Sequence, residues 1–498
     1  MSDTPHRPDV VSESAPAPTA EQRDIPMPVH LQQAIAADWD VAPPMPHPAR
    51  TDGAAYAARR RDRLSAQLPG QVIIVPAGNL KVRANDTDYP FRAAGSFTWL
   101  TGETASDAVL VMTPHGSGHD STLYVREYAQ PGEVAYFTSR THGAVWVGNV
   151  PSVEDTSEVL GLPVRALSEL PSVLARHRGD PAEVLTGIDA EVEGQLDVAG
   201  TNLGRLLDEL RLIKDEWEIA RLSHACEATA RGFADVVREL PAVVGRSDIR
   251  GERWLEGTFW RRARLEGNEV GYGSIVGTGV HATTLHWWRN HGVVQAGSLL
   301  LADMGVETDE LYTADVTRTL PVSGEWTTAQ LRVYRAVQEA QEAGIAEVKA
   351  GADFLAAHRA AMWVLADYLH SWGILPVSAD VSCDPDPERP GAGLHRRYTL
   401  HGTSHMLGID VHDCGLARNE VCRDAALASG NVLTVEPGLY FQVNDRSVPA
   451  DLQGIGVRIE DDVVVTDGAA LNLSAMLPRD PDAIVAWMRD VQSTPATL

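Results

Sequence analysis

Residues 298–324 read SLLLADMGVETDELYTADVTRTLPVSG, and this stretch decides the fold of the second half of the chain. Asp303 follows four apolar residues, as the end of a buried strand does. Beyond a turn, Asp315, Thr317 and Thr319 alternate with Val316, Arg318 and Leu320, so they share one face if the run is extended. A hairpin joining the two runs brings Asp303 and Asp315 together. Further along, short apolar runs again end in side chains that bind metals. HGTSHMLGIDVHD (401–413) carries His401, His405 and His412; NVLTVEPGLY (431–440) carries Glu436 and Tyr440. GVRIEDDVVVT (456–466) sets Arg458 and Glu460 on one face of a strand. Pro437 and Gly438 are expected to impose a turn after Glu436, and Asp461 and Asp462 to form a solvated strand end.

Asp303, Asp315, Glu436, Glu460 and His405 are borderline or hard metal ligands. Four carboxylates and one imidazole in one place are unstable alone, because like charges a few ångströms apart cannot all stay ionised and burial worsens this. Two divalent cations would neutralise the four carboxylates. A two-metal hydrolytic centre is the reading that makes the set physically sensible.

Other patterns are excluded. Gly402 stands where the helical HExxH motif of zinc peptidases needs its glutamate. No GxxxxGK[ST] phosphate loop is present, and GYGSIVG (271–277) departs from the dinucleotide fingerprint. HGSGHD (115–120) is too short to place a catalytic triad and reads as a turn.

The ordered set D-M-G, T-A-D-V-T-R-T, H-G-T-S-H, V-H-D, E-P-G and R-I-E resembles the dinuclear metallopeptidases of the creatinase and methionine aminopeptidase superfamily. Within it the chain is most similar to the aminopeptidase P (Xaa-Pro aminopeptidase) family. The resemblance runs from about Tyr56 to the C-terminus and is most specific in the second half. It implies an α/β N-terminal creatinase-like domain and an α+β "pita-bread" catalytic domain. It also implies that Asp303, Asp315, His405, Glu436 and Glu460 hold two divalent metal ions, with manganese favoured and zinc, cobalt or iron compatible. Glu436 is then also the proton shuttle. His412 contacts the reacting carbonyl, and His286, in GTGVHATTLHWW (277–288), lies on the scissile-bond side. His286, His401, His412, Tyr440 and Arg458 form the substrate pocket. The implied reaction removes the first residue of peptides with proline second. A prolidase, confined to Xaa-Pro dipeptides, shares all five ligands, and a lyase of the same fold is a further alternative. The gap between Asp303 and Asp315 is one residue longer than the family pattern, so a bulge or longer turn is expected in VETDEL (306–311). His281 is expected to be structural, as is at least one of Trp287 and Trp288.

Composition agrees with a soluble enzyme. The 498 residues carry a formal charge of −26, which repels phosphate backbones and makes nucleic acid an unexpected partner. No apolar run reaches the length of a membrane span, so no membrane partner is expected. Four cysteines without a CxxC pair point to reduced thiols. The N-terminal stretch lacks the apolar core of a secretory signal, and a cytoplasmic setting is expected. A homodimer or homotetramer is what the resemblance implies.

Three segments are expected. Residues 1–50, rich in Pro, Ala and Ser, read as a flexible tail with a helical patch at His30–Trp39. Residues 51–203 alternate helices and strands, beginning with a helix of basic face over 54–68 and a buried strand at QVIIVPAG (71–78). Residues 204–498 hold every strong motif and begin with a long helix, for which Asp215 and Glu218 fit a capping box. CDPDPERPGAG (383–393) reads as a surface insertion.

Overall fold

In the computed structural model, which describes residues 24–40, 49–196 and 202–495, the chain divides into two compact units, 1–201 and 202–498. Residues 1–23 and 41–48 of the expected tail lie outside the described residues. The helical patch forms a helix at Val29–Ile35, and Trp39 sets its ring edge-on to Tyr136 at 5.7 Å.

The first unit is built on a five-stranded mixed sheet. Its strands are β1 (Val72–Pro76), β2 (Val109–His115), β3 (Gly118–Val125), β4 (Val164–Ala166) and β5 (Ala182–Val184), in the order β4-β3-β2-β1-β5. The HGSGHD segment is the tight link of β2 to β3, with His115 opposite Gly118. Helix α1 (Ala54–Gln67) carries its expected basic face through Arg59 and Arg63, exposed one turn apart, while the two arginines that follow Arg59 turn inward. Arg60 and Arg61 are buried, donating to the carbonyls of Trp99 and Leu100 at 3.2 and 2.7 Å. Those carbonyls belong to helix α2 (Gly95–Thr101), near whose C-terminus the carbonyls lack partners within the helix. Guanidinium groups that satisfy them can be buried at modest cost.

The second unit begins with a short helix at Leu203–Arg211, which leads into the long helix α3 (Glu216–Val243). Asp215 caps it by accepting from the amides of Trp217 and Glu218, and the Glu218 carboxylate accepts from the Asp215 amide at 3.0 Å. Helices α4 (Gly251–Glu266), α5 (Thr328–Ala346) and α6 (Ala356–Ser371) follow. Phe233, Phe259, Val337 and Leu365 from these four helices share one core with Val276, Leu300, Val316 and Leu439 from the strands.

Those strands position the functional residues. β6 (Ile275–Thr278), β7 (Leu299–Met304) and β8 (Val316–Pro321) form an antiparallel sheet with β7 central. Asp303 faces Thr317, and the bridge between Glu307 and Thr313 keeps the same register to the end of the hairpin. Asp315 therefore lies diagonally across from Asp303, within side-chain reach. The expected extra residue is absorbed by a longer turn without a bulge: Thr308 to Tyr312 close it, with Leu311 left-handed at φ 69°. Opposite Asp315 stands Gly305, where an added Cβ would meet the Ala314 carbonyl oxygen at 1.7 Å. Only glycine fits there.

A second ladder runs through β9 (Val432–Val435), β10 (Gly438–Tyr440), β11 (Gly456–Arg458) and β12 (Asp461–Val464). β9 pairs with β12 and β10 with β11, all antiparallel. Val435 faces Asp461 and Gly438 faces Arg458, so the register is the same on both sides of the break and sets Glu436 opposite Glu460. The expected turn at Pro437–Gly438 is not formed. Pro437 lacks an N–H and interrupts the ladder, which resumes in step.

Asp461 and Asp462 are fully buried, contrary to the solvated strand end expected of them. Asp461 accepts from Arg318, Gln341 and Ser474, at 2.7, 2.9 and 2.6 Å, and Asp462 accepts from the Asp315 amide at 3.0 Å and from Cys226 at 3.1 Å. β12 is central between β9 and the Leu471–Asn472 strand, so neither aspartate can reach water. The 383–393 segment lies at the surface, exposed over 385–390.

The segment bearing His401–Asp413 is clamped from behind. Asp413 is buried against Lys214 at 2.8 Å and against Arg211, and these two cations hold its carboxyl well below the usual range against the opposing effect of burial. Gly408 lies so close that an added Cβ would sit 2.3 Å from the Asp413 carboxylate. Asp413→Ala would leave buried cations uncompensated, at a cost of about 3–5 kcal/mol. A lower midpoint in urea or thermal unfolding is expected. Because the folded-state pKa is depressed, this contribution is present in full above the ordinary aspartate value and is lost as pH falls from there through the lower folded-state pKa.

Candidate metal centre and active site

Four of the five candidate ligands come from the two ladders just described. Asp303 ends β7, Asp315 precedes β8, and Glu436 and Glu460 interrupt the second ladder side by side. His405 joins them because residues 403–407 run along β9. Thr434 donates to the His405 carbonyl at 3.0 Å, and the Glu436 amide donates to Thr403 at 2.8 Å. Glu460 is tied to the hairpin through its amide, which donates to Thr317 at 3.1 Å.

Asp315, His405 and Glu460 each offer a ligand atom, and all lie within 4.8 Å of one another. His405 Nε2 is 3.2 Å from Asp315 Oδ2 and 3.8 Å from Glu436 Oε1. Its Nδ1 lies 3.0 Å from the Met406 carbonyl, which can only accept. That contact fixes the ring with Nε2 toward the carboxylates. Around this centre lies a cavity of about 400 Å³. Asp303, Asp315, His405, Glu436 and Glu460 all border it, together with His286, His401, His412 and Arg458. Tyr440 stands behind His401, its hydroxyl 2.8 Å from His401 Nε2.

Electrostatics mark the site as incomplete without cations. Burial raises the carboxyl groups of Asp303, Glu436 and Glu460 above their ordinary range, and neighbouring carboxylates raise them further. Glu436 reaches about 8. Burial works against a charged His405 ring, yet Asp315 and Glu436 lift it to about 9. Carboxyl groups pushed up together in this way form a donor set that divalent cations would neutralise. An oxygen-rich set with one imidazole fits hard or borderline divalent ions.

The pocket side chains form a directed chain. Arg458 donates to Asp303 at 2.5 Å and to the Tyr440 hydroxyl at 3.0 Å. Burial, with Arg458 nearby, lowers His401 to about 4, so its ring is neutral. His401 Nδ1 lies 2.7 Å from the Gly402 carbonyl, which leaves Nε2 to accept from Tyr440. His412 sets its ring 4.4 Å from that of His405. His286 is exposed and stacks on Trp288 at 5.1 Å. His281 donates to Glu252 from inside the fold, away from the cavity lining, as its structural reading expected.

Three contributors escaped sequence reasoning. The Tyr272 hydroxyl donates to Asp303 Oδ1 at 2.7 Å, Thr317 donates to Glu460 at 2.6 Å, and Asp462 anchors the Asp315 amide. Tyr272 lies in GYGSIVG, whose pattern has meaning only once β6 is placed beside β7. The alternation of β8 did put Thr317 on the right face.

Comparison with known proteins agrees with this geometry. Residues 220–467 match the model of metallopeptidase family M24, and residues 57–184 that of the aminopeptidase P N-terminal domain. Xaa-Pro aminopeptidase 1 of Streptomyces coelicolor is 49% identical over 444 residues, covering 87% of each chain. Xaa-Pro aminopeptidase of Escherichia coli is 31% identical and covers 86% of this chain and 96% of its own. The structure of E. coli aminopeptidase P with the inhibitor Pro-Leu superposes with a TM-score of 0.77 at 28% identity, covering 90% of this chain and all of that one. The second unit therefore has the pita-bread fold, and the chain belongs to metallopeptidase family M24 with an aminopeptidase P N-terminal domain ahead of its catalytic domain.

Proposed function

We propose that this chain is a two-metal aminopeptidase that removes the first residue of peptides whose second residue is proline. The observation that carries the reading is the cluster of Asp315, His405 and Glu460 ligand atoms within 4.8 Å, opening on a peptide-sized cavity. Asp303, Asp315, His405, Glu436 and Glu460 hold the metals, manganese by preference, since a single nitrogen among oxygens suits that ion. When bound, such a pair supplies hydroxide near neutral pH and polarises the carbonyl under attack.

The chain's own residues do the rest. Glu436 takes a proton from the attacking water and passes it to the leaving nitrogen. His412 donates toward the developing oxyanion, a contribution typically of ~2.7–4 kcal/mol. The free amino terminus lies near Asp303, which restricts cleavage to the first bond. His286, His401, Tyr440 and Arg458 read the proline, whose ring fixes φ and removes a donor. The pre-set chain from Arg458 through Tyr440 to His401 holds that wall rigid before substrate arrives. A homodimer or homotetramer follows the family pattern. Four cysteines without disulfides fit a cytoplasmic setting.

Chelated protein given manganese should release the first residue of an X-Pro-Pro tripeptide and leave X-Ala-Ala intact. Turnover of X-Pro dipeptides alone would make it a prolidase instead. Asp315→Ala and His405→Ala should each abolish turnover and metal content together; elemental analysis of a fully active, metal-free variant would refute the mechanism. Protons on Glu436 and His405, held at about 8 and about 9, must leave before cations enter. Metal affinity should therefore weaken as pH falls below about 8 and strengthen toward pH 9, with proton release visible by calorimetry in two buffers.

A further inference from the structure

Behind the cavity, one carboxylate organises an entire loop without touching any proposed ligand. Glu252 lies in the first turn of α4 and has no exposed surface. Its Oε1 accepts from the Thr278 amide at 2.8 Å, the Thr278 hydroxyl at 2.9 Å and His281 Nδ1 at 2.8 Å. Its Oε2 accepts from the Trp287 indole at 2.9 Å and the Gly292 amide at 2.6 Å. Five donors outweigh burial and keep its carboxyl below the ordinary glutamate value. The packing leaves no slack: a Cβ at Gly292 would lie 2.6 Å from both the Glu252 carboxylate and His281.

The donors bracket the loop between β6 and β7 at both ends and in the middle. His281 and Trp287 stack at 4.0 Å, and the His291 ring lies 5.1 Å from Trp287 and 5.8 Å from His281. On the loop's other side the rings of His286 and Trp288 stack nearly parallel, 6° apart, and both line the cavity. Trp287 points inward to Glu252 while its two neighbours point out to the cavity. The position of Trp287 thus dictates where His286 and Trp288 stand.

We propose that Glu252 is a positioning residue that fixes the His286–Trp288 rim and so sets how tightly peptide is held, without contributing to metal binding. This rests on reading His286 as a substrate contact. Only a carboxylate serves, because every group facing it is a donor. The amide of glutamine would turn an N–H toward one of those donors.

The test uses the full chain loaded with manganese, with Glu252→Gln, Trp287→Phe and His286→Ala. Trp287→Phe keeps a ring and removes one donor, so it decides the matter if Glu252→Gln fails to fold. For Glu252→Gln, metal per chain should stay at the wild-type level. Hydrogen exchange should quicken about tenfold or more across 278–292 and stay unchanged across 299–304. KM for X-Pro-Pro should rise about tenfold with kcat falling less than about threefold, as loss of ground-state binding predicts. Trp287→Phe should shift KM the same way by about threefold. Adding His286→Ala to Glu252→Gln should cost less than the product of the two separate losses. Unchanged exchange in 278–292, parallel loss of metal and kcat, or fully multiplicative losses would overturn the proposal. If wild-type protein fails to cleave X-Pro peptides, the functional reading falls by itself, and the exchange comparison still decides whether Glu252 holds the loop.

Discussion

Mutual repulsion among Asp303, Asp315, Glu436 and Glu460 is the constraint around which the catalytic unit is arranged. The fold brings these carboxylates into one buried region and leaves Arg458 as the cation nearest Asp303. One guanidinium cannot balance four carboxylates, so burial and mutual repulsion push the carboxyl groups of Asp303, Glu436 and Glu460 upward and the carboxylates push the His405 ring up with them. The strain has to be held by something that does not yield. Here it is two antiparallel ladders in fixed register, backed by a core of Phe233, Phe259, Leu365 and their neighbours.

The electrostatic cost extends one layer outward. Asp461 and Asp462 directly follow Glu460, yet neither borders the cavity. Asp461 neutralises Arg318 and takes hydrogen bonds from Gln341 and Ser474, and Asp462 holds the Asp315 amide. A run of three acidic residues thus serves three separate purposes, separated by the alternation of a strand and by its burial on both faces.

Much of this was legible in the chain itself. The alternation in TADVTRTL predicted the hairpin face, and the Asp215–Glu218 spacing predicted the cap of the long helix. Both are determined by neighbours close in sequence. The misreadings share the opposite cause. Asp461 and Asp462 read as solvated because nothing local shows that their strand is central. The burial of Arg60 and Arg61 within a helix of basic face was hidden because their carbonyl acceptors lie 39 residues away. Pro437 read as a turn because proline commonly marks one, whereas here its missing donor interrupts a ladder. Tyr272 and Glu252 were silent, since a lone tyrosine or glutamate gains meaning only when folding delivers its partners.

The hairpin that carries the two aspartates keeps one register from Asp303 to its tip. A slip by one residue within either strand would rotate every side chain to the opposite face and remove an aspartate from the centre. Length change at the tip, where Asp309 is exposed, meets no such penalty, because lengthening a closed loop costs entropy only slowly. A residue added at Asp309–Glu310 therefore lengthens the turn and leaves the paired strands in step, so the spacing of the two aspartates can grow by one while both keep their face of the sheet.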